Sequence, residues 1–151
     1  MKKFLLLLFL LPLAIAGREI DEIIVHCTAS GYMQDIGAAE LRSYHTGVLG
    51  WDDIGYHYVI RLDGTVETGR DVALPGAHCR GHNAHSIGIV YVGGLDAQGH
   101  PADTRTEAQR IAMQGLVAEL QLRFGNLRIS GHRDYAPKAC PCFDVEELRR
   151  K

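Results

Sequence analysis

Apolar and polar positions change their period several times along the chain, and each change marks an element. Ile23-Ile24-Val25-His26-Cys27 is a short β-branched run of the kind that forms a buried strand. Asp35 is placed to cap a helix over about Gly37 to Thr46, with Leu41, Tyr44 and His45 on or near one face. Gly55 to Leu62 alternates and is β-rich, and Asp63-Gly64 predicts a tight turn into a partner strand over Thr65 to Gly69. Ser86 to Val92 reads as a further strand. Thr106 and Gln109 form a capping box for a long helix to about Phe124, whose core face carries Met113, Leu116, Val117, Leu120 and Phe124. Leu127 to Ser130 is a last short strand, and Asp144 caps a final helix with Glu146 and Glu147 early and Arg149, Arg150 and Lys151 late. Strands and helices interleave, so the expected fold is α/β: a single domain with a central mixed sheet flanked by helices.

The first sixteen residues stand outside that pattern. Met1-Lys2-Lys3, the apolar run Phe4 to Leu13 and the small-x-small Ala14-Ile15-Ala16 make the three parts of a secretory signal peptide. The run is short against the roughly 20 residues of a membrane span, which disfavours an uncleaved anchor, and no Cys follows it as in a lipoprotein. Cleavage leaves residues 17–151 as one domain, takes the net charge from −2 to −4 by removing Lys2 and Lys3, and sends the product to a periplasmic or secreted location. With 16 Lys+Arg against 18 Asp+Glu there is no basic footprint for nucleic acid. No membrane span is expected to remain after cleavage, and a monomer is expected.

Eight His and four Cys are the unusual part of the composition. His26 closes the first strand, His132 follows the last one in Ser130-Gly131-His132, and Cys140 lies eight residues further on. Imidazole and thiolate are the donors zinc prefers, and a catalytic zinc takes three protein ligands and leaves one position open. Pro137, with Pro141 following, makes the segment between His132 and Cys140 a stiff loop and not a helix. Spacing alone leaves the bland alternatives open: a strand His buried in the core and a Cys in a disulfide. Gly76 and Gly81 place His78, His82 and His85 in an irregular loop, where exposed histidines are the ordinary outcome, and Asp52-Asp53 reads as a solvated turn.

Four motifs change the balance. Ile24-Val25-His26-Cys27-Thr28-Ala29, Gly55-Tyr56-His57-Tyr58 with Asp63-Gly64-Thr65-Val66, Ser86-Ile87-Gly88 with Val92-Gly93-Gly94, and Gly131-His132-Arg133-Asp134 running to Ala139-Cys140-Pro141 occur in that order. Over about Ile23 to Leu148 the sequence resembles the type 2 N-acetylmuramoyl-L-alanine amidases, a family that includes amidase-type phage lysozymes and peptidoglycan recognition proteins. The resemblance implies that fold, and a Zn2+ held by His26, His132 and Cys140. It also implies that Tyr56 and Lys138 assist catalysis, and that His78 lies beside the substrate groove as a contact. The implied reaction is hydrolysis of the amide between N-acetylmuramic acid and L-alanine of peptidoglycan or muropeptides, for cell-wall turnover or lysis. Zinc would draw the pKa of water toward about 7, and Lys138 would face the oxyanion. The alternative is a non-catalytic module that binds muropeptides; such relatives typically lose the Cys ligand, which this chain keeps.

The remaining cysteines stay open at this point. If Cys140 holds metal, Cys27, Cys79 and Cys142 allow at most one disulfide. Cys27 alternates with His26 and so points away from the metal, while Cys142 is close enough to Cys140 to compete for it.

Overall fold

A computed structural model describes residues 17–149; the expected signal peptide, Arg150 and Lys151 lie outside the described residues. Five strands form one mixed sheet in the order β3-β2-β4-β1-β5: β1 (Glu22–Cys27), β2 (Tyr58–Ile60), β3 (Val66–Thr68), β4 (Ser86–Tyr91) and β5 (Arg128–Gly131). β1 runs parallel to both β4 and β5, β2 runs parallel to β4, and the β2–β3 hairpin alone is antiparallel. Burial on both faces explains why β1 and β4 are almost continuously apolar.

Alternation divides β1 between two cores. Ile23, Val25 and Cys27 join Ile87, Ile89 and Tyr91 under α2 (Glu107–Phe124), which contributes Met113, Leu116, Val117 and Leu120. The other face packs Val59, Val90 and Val92 against Ala38 and Leu41 of α1 (Ala38–Gly47). His26 lies on the α1 face at the carboxyl end of β1, an end where parallel sheets place their ligand sites. Among the described residues no helix is long and apolar enough to cross a membrane.

The capping box at Thr106 forms as expected, and Gln109 does more than cap. Its Oε1 accepts from Thr106 N–H while its fully buried Nε2 donates to the carbonyls of Ile60 and Val92, tying α2 to the sheet.

Four expectations need correction, the first being the final helix, which shortens to a 3-10 turn over Val145–Leu148 behind its Asp144 cap. Asp35 does not cap α1: Gly37 occupies that position, and the Asp35 carboxylate accepts instead from Arg61 and from Leu62 N–H. The strand expected over Gly55 to Leu62 contracts to Tyr58–Ile60, because residues 55–57 leave the ladder to bond Ala77, Arg70 and Gly88. The segment after His132 opens with a 3-10 turn over His132–Asp134 before the loop begins.

Candidate metal centre

His26, His132 and Cys140 converge at the carboxyl ends of β1 and β5. One donor atom of each lies within 4.8 Å of the others, a separation that a single metal ion can span. Their settings differ. His26 is 1% exposed, whereas His132 and Cys140 are half-buried.

The His26 ring is oriented by a chain of hydrogen bonds. Its Nδ1 is 3.9 Å from Cys140 Sγ, and its Nε2 is 3.0 Å from Nδ1 of His78. His78 Nε2 lies 3.3 Å from Ser86 Oγ, whose hydroxyl donates to the His82 carbonyl at 2.7 Å. That last carbonyl can only accept, so the protons order themselves: Ser86 donates to His82, His78 Nε2–H to Ser86, and His26 Nε2–H to His78. The Nδ1 lone pair of His26 is then left facing Cys140, which is the arrangement a metal ligand needs.

The motif glycines make room for this chain. A Cβ at Gly88 would sit 2.5 Å from the His78 ring. Gly88 N–H also donates to Nδ1 of His57, whose Nε2 bonds Leu74 O at 2.9 Å, so His57 is buried as a neutral ring turned away from the centre. Tyr56 takes the other side, its ring 5.2 Å from that of His26. This is the outcome expected when only one of Tyr56 and His57 can face His26.

The loop side is held by backbone and side-chain bonds together. Arg133 N–H donates to Cys140 O at 2.8 Å, and Tyr91 Oη to Pro141 O at 2.7 Å. Cys27 N–H donates to Cys140 Sγ at 3.3 Å, so the end of β1 supports the sulfur directly. Asp134 accepts from Gly131 N–H, and Tyr135 from the following turn reaches the buried Glu22 carboxylate.

Electrostatics favour uncharged ring ligands. Burial first, then the charges of neighbours including Lys138, hold His26 well below the usual imidazole range, and burial with Lys138 lowers His132. Burial brings His78 down to about 3. Desolvation raises the Tyr56 phenol, which therefore keeps its proton as a hydrogen-bond donor. Cys140 is shifted the other way, chiefly by hydrogen bonds from Cys27, toward the thiolate a metal binds.

Of the residues singled out from sequence, four stand together, His26, His132, Cys140 and Tyr56, and Lys138 is exposed on the loop between His132 and Cys140. His78, which the resemblance places beside the substrate groove, is 8% exposed and has its Nδ1 3.0 Å from His26 Nε2. Sequence reasoning missed His45 of α1. It is buried, its Nδ1 accepts from Gly55 N–H at 3.0 Å, and its ring lies 5.7 Å from Tyr56, so it braces the segment that presents the phenol. Its helical position was the available signal.

Residues 16–143 match the family described as N-acetylmuramoyl-L-alanine amidase. The chain is 44% identical to an endolysin of Klebsiella phage KP32 over 134 residues, covering 89% of this chain and 88% of the endolysin. It is 33% identical to peptidoglycan-recognition protein SC2 of Drosophila melanogaster over 135 residues, covering 83% and 71% of the two chains. Among solved structures, the N-acetylmuramoyl-L-alanine amidase LysC from Clostridium intestinale URNW superposes with a TM-score of 0.76 at 27% identity, covering 87% of this chain and 84% of that one.

Proposed function

The chain belongs to the N-acetylmuramoyl-L-alanine amidase family, and from that premise we propose that it is a zinc hydrolase acting outside the cytoplasm on peptidoglycan or muropeptides. It cuts the amide between the lactyl group of N-acetylmuramic acid and L-alanine, in wall turnover or lysis. The observation that carries this reading is the donor cluster of His26, His132 and Cys140 within 4.8 Å. The donor chemistry fits zinc: two neutral imidazoles and a thiolate form a three-ligand set that leaves one position open.

Zinc, when bound, supplies Lewis acidity that draws the pKa of water toward neutrality and polarises a carbonyl. The protein's own groups do the rest. His26 and His132 stay neutral and present lone pairs, and His78 holds the His26 ring at the required angle. Tyr56, protonated across the working range, donates a hydrogen bond to the carbonyl oxygen as that atom gains negative charge. Lys138 adds positive charge at the exposed rim, where the same oxygen and the acidic stem peptide approach. The muropeptide fits this reading because a phage endolysin and a peptidoglycan-recognition protein are 44% and 33% identical to the chain over most of its length.

The test has two readouts. Metal content per chain is measured by mass spectrometry, and purified muropeptides are digested and searched for free stem peptide. Expected are about one zinc per chain and released peptide. Zinc without released peptide would turn the reading to a muropeptide-binding module. Glycan fragments without free peptide would replace it with a glycosidase.

A further inference from the structure

We propose that Cys27 and Cys142 form a disulfide in the exported protein, fastening the loop that carries Cys140 to the end of β1. All four cysteines are free thiols in the structure, yet Cys27 Sγ and Cys142 Sγ are 3.8 Å apart. A bond requires about 2.05 Å, so the two sulfurs have to approach by roughly 1.8 Å. The fold has cleared the space: a Cβ at Gly94 would fall 2.5 Å from Cys27 Sγ and 3.7 Å from Cys142 Sγ.

The turn Ala139-Cys140-Pro141-Cys142 places its two sulfurs on different partners. Cys142 N–H donates to Ala139 O at 2.7 Å, closing the turn, and Cys142 adopts φ +68, a left-handed backbone that side chains with a Cβ rarely take. Cys140 then faces the two histidines, while Cys142 faces Cys27 on the α2 side of the sheet. Cys79 is tied into another loop, where Asn83 Oδ1 accepts its amide proton together with that of His78. One pairing is thereby favoured over the others that the sequence allows, and Cys142 becomes a fastener rather than a rival ligand.

The chemistry is thiol–disulfide exchange with an oxidant of the disulfide class. The thiolate of Cys142, the more exposed partner, attacks oxidised glutathione and releases one glutathione. Cys27 then displaces the second, so two protein thiols become one disulfide as one oxidised glutathione becomes two reduced molecules. The proposal rests on the reading of the leader as an export signal and of Cys140 as the sulfur ligand.

The zinc-loaded full protein is equilibrated with oxidised and reduced glutathione, its free thiols are blocked, and it is digested without reductant. Mass spectrometry is expected to find one linked peptide pair, Cys27 with Cys142. Cys79 is blocked directly, and Cys140 only after chelation of the metal. Reductant is expected to lower the thermal midpoint by roughly 10 °C with zinc content unchanged. Cys142→Ser is expected to keep zinc and activity and to lose that sensitivity. A link through Cys140 or Cys79, or four free thiols under oxidising conditions, overturns the proposal, as does loss of zinc from Cys142→Ser. The Cys27–Cys142 link in a protein that takes up no zinc leaves the disulfide standing and defeats the metal reading instead.

Discussion

The candidate metal centre joins two regions built on different principles. His26 belongs to β1, which is hydrogen-bonded to a strand on each side, and its ring is held by His78 and, behind that, Ser86. His132 and Cys140 belong to a turn and loop that are half-exposed and kept in place by separate backbone and side-chain bonds, with no strand on either side among the described residues. A strand so placed cannot shift without opening the sheet, whereas the loop can move by tenths of an ångström to meet an ion. The strand side would therefore set the direction of coordination of a bound ion, and the loop side would complete it. Damage to the first should appear in metal orientation and folding together, and damage to the second mainly in metal binding.

The largest expected effect tests the loop ligand. Cys140→Ala removes the sulfur donor but little of the core, so zinc content should fall to background and amidase activity by at least about a thousandfold. The unfolding midpoint of the metal-free protein should stay within a few degrees. Activity surviving in this variant would remove Cys140 from the ligand set.

A pH signature belongs to His57, which is bonded to Gly88 of β4 behind the strand side. Burial, with the nearby Arg18 and Arg70 and against the opposing effects of Leu74 O and Asp71, lowers its pKa from 6.5 to about 4. Between those values the unfolded chain binds a proton that the folded chain excludes, so stability rises with pH across the window. It is lost as pH falls from 6.5 toward 4, by about 3 kcal/mol for this group. Urea unfolding of the metal-free protein at pH 6.5, 5.5 and 4.5 reads the slope, and His57→Gln should flatten it by close to one proton. An unchanged slope would show that His57 is accessible to solvent protons in the fold.

His78 separates orientation from substrate contact. His78→Ala leaves His26 Nε2–H without its acceptor, and loss of such an outer partner typically costs about 10–100-fold in metal affinity. Competition with a chromophoric chelator measures this, and kcat at saturating zinc should return close to the parent value. A raised KM with unaltered zinc affinity would instead favour the groove contact that the family resemblance implies.

What was legible in the sequence was local. Thr106 with Gln109, and Asp63-Gly64 between alternating runs, act within a few residues, and the structure bears out both. Asp35 failed as a cap because Arg61 and Leu62, from the β2–β3 hairpin, take its carboxylate. Glu40 and Glu67 serve Gly37 N–H and Ala38 N–H in its place. The convergence of His26, His132 and Cys140 was legible from strand ends and family motifs together. The burial of His78 was not, because it depends on side chains missing at Gly76 and Gly88, and an absent atom in another element leaves no local pattern. The pairing of Cys27 with Cys142 was hidden for a related reason: only the parallel sheet and the loop after β5 bring residues so far apart in sequence together.

Arg133 gives the smallest effect and the sharpest test of the difference between the two regions. Its guanidinium donates to Phe143 O at 2.6 Å, while its backbone N–H donates to Cys140 O. Arg133→Ala deletes the first bond and spares the second. If backbone bonding holds the loop, the variant should lose less than about 1 kcal/mol of stability and its zinc affinity should stay within about threefold of the parent. Arg133→Pro removes the N–H itself, and a drop of about tenfold in zinc affinity is expected for one lost bond at a ligand's own carbonyl. Equal losses in Arg133→Ala and His78→Ala would mean that the loop, too, is aligned by side chains. The contrast would then fail where it is most specific, because a truncated surface arginine would have turned a ligand as effectively as a broken chain of buried histidines.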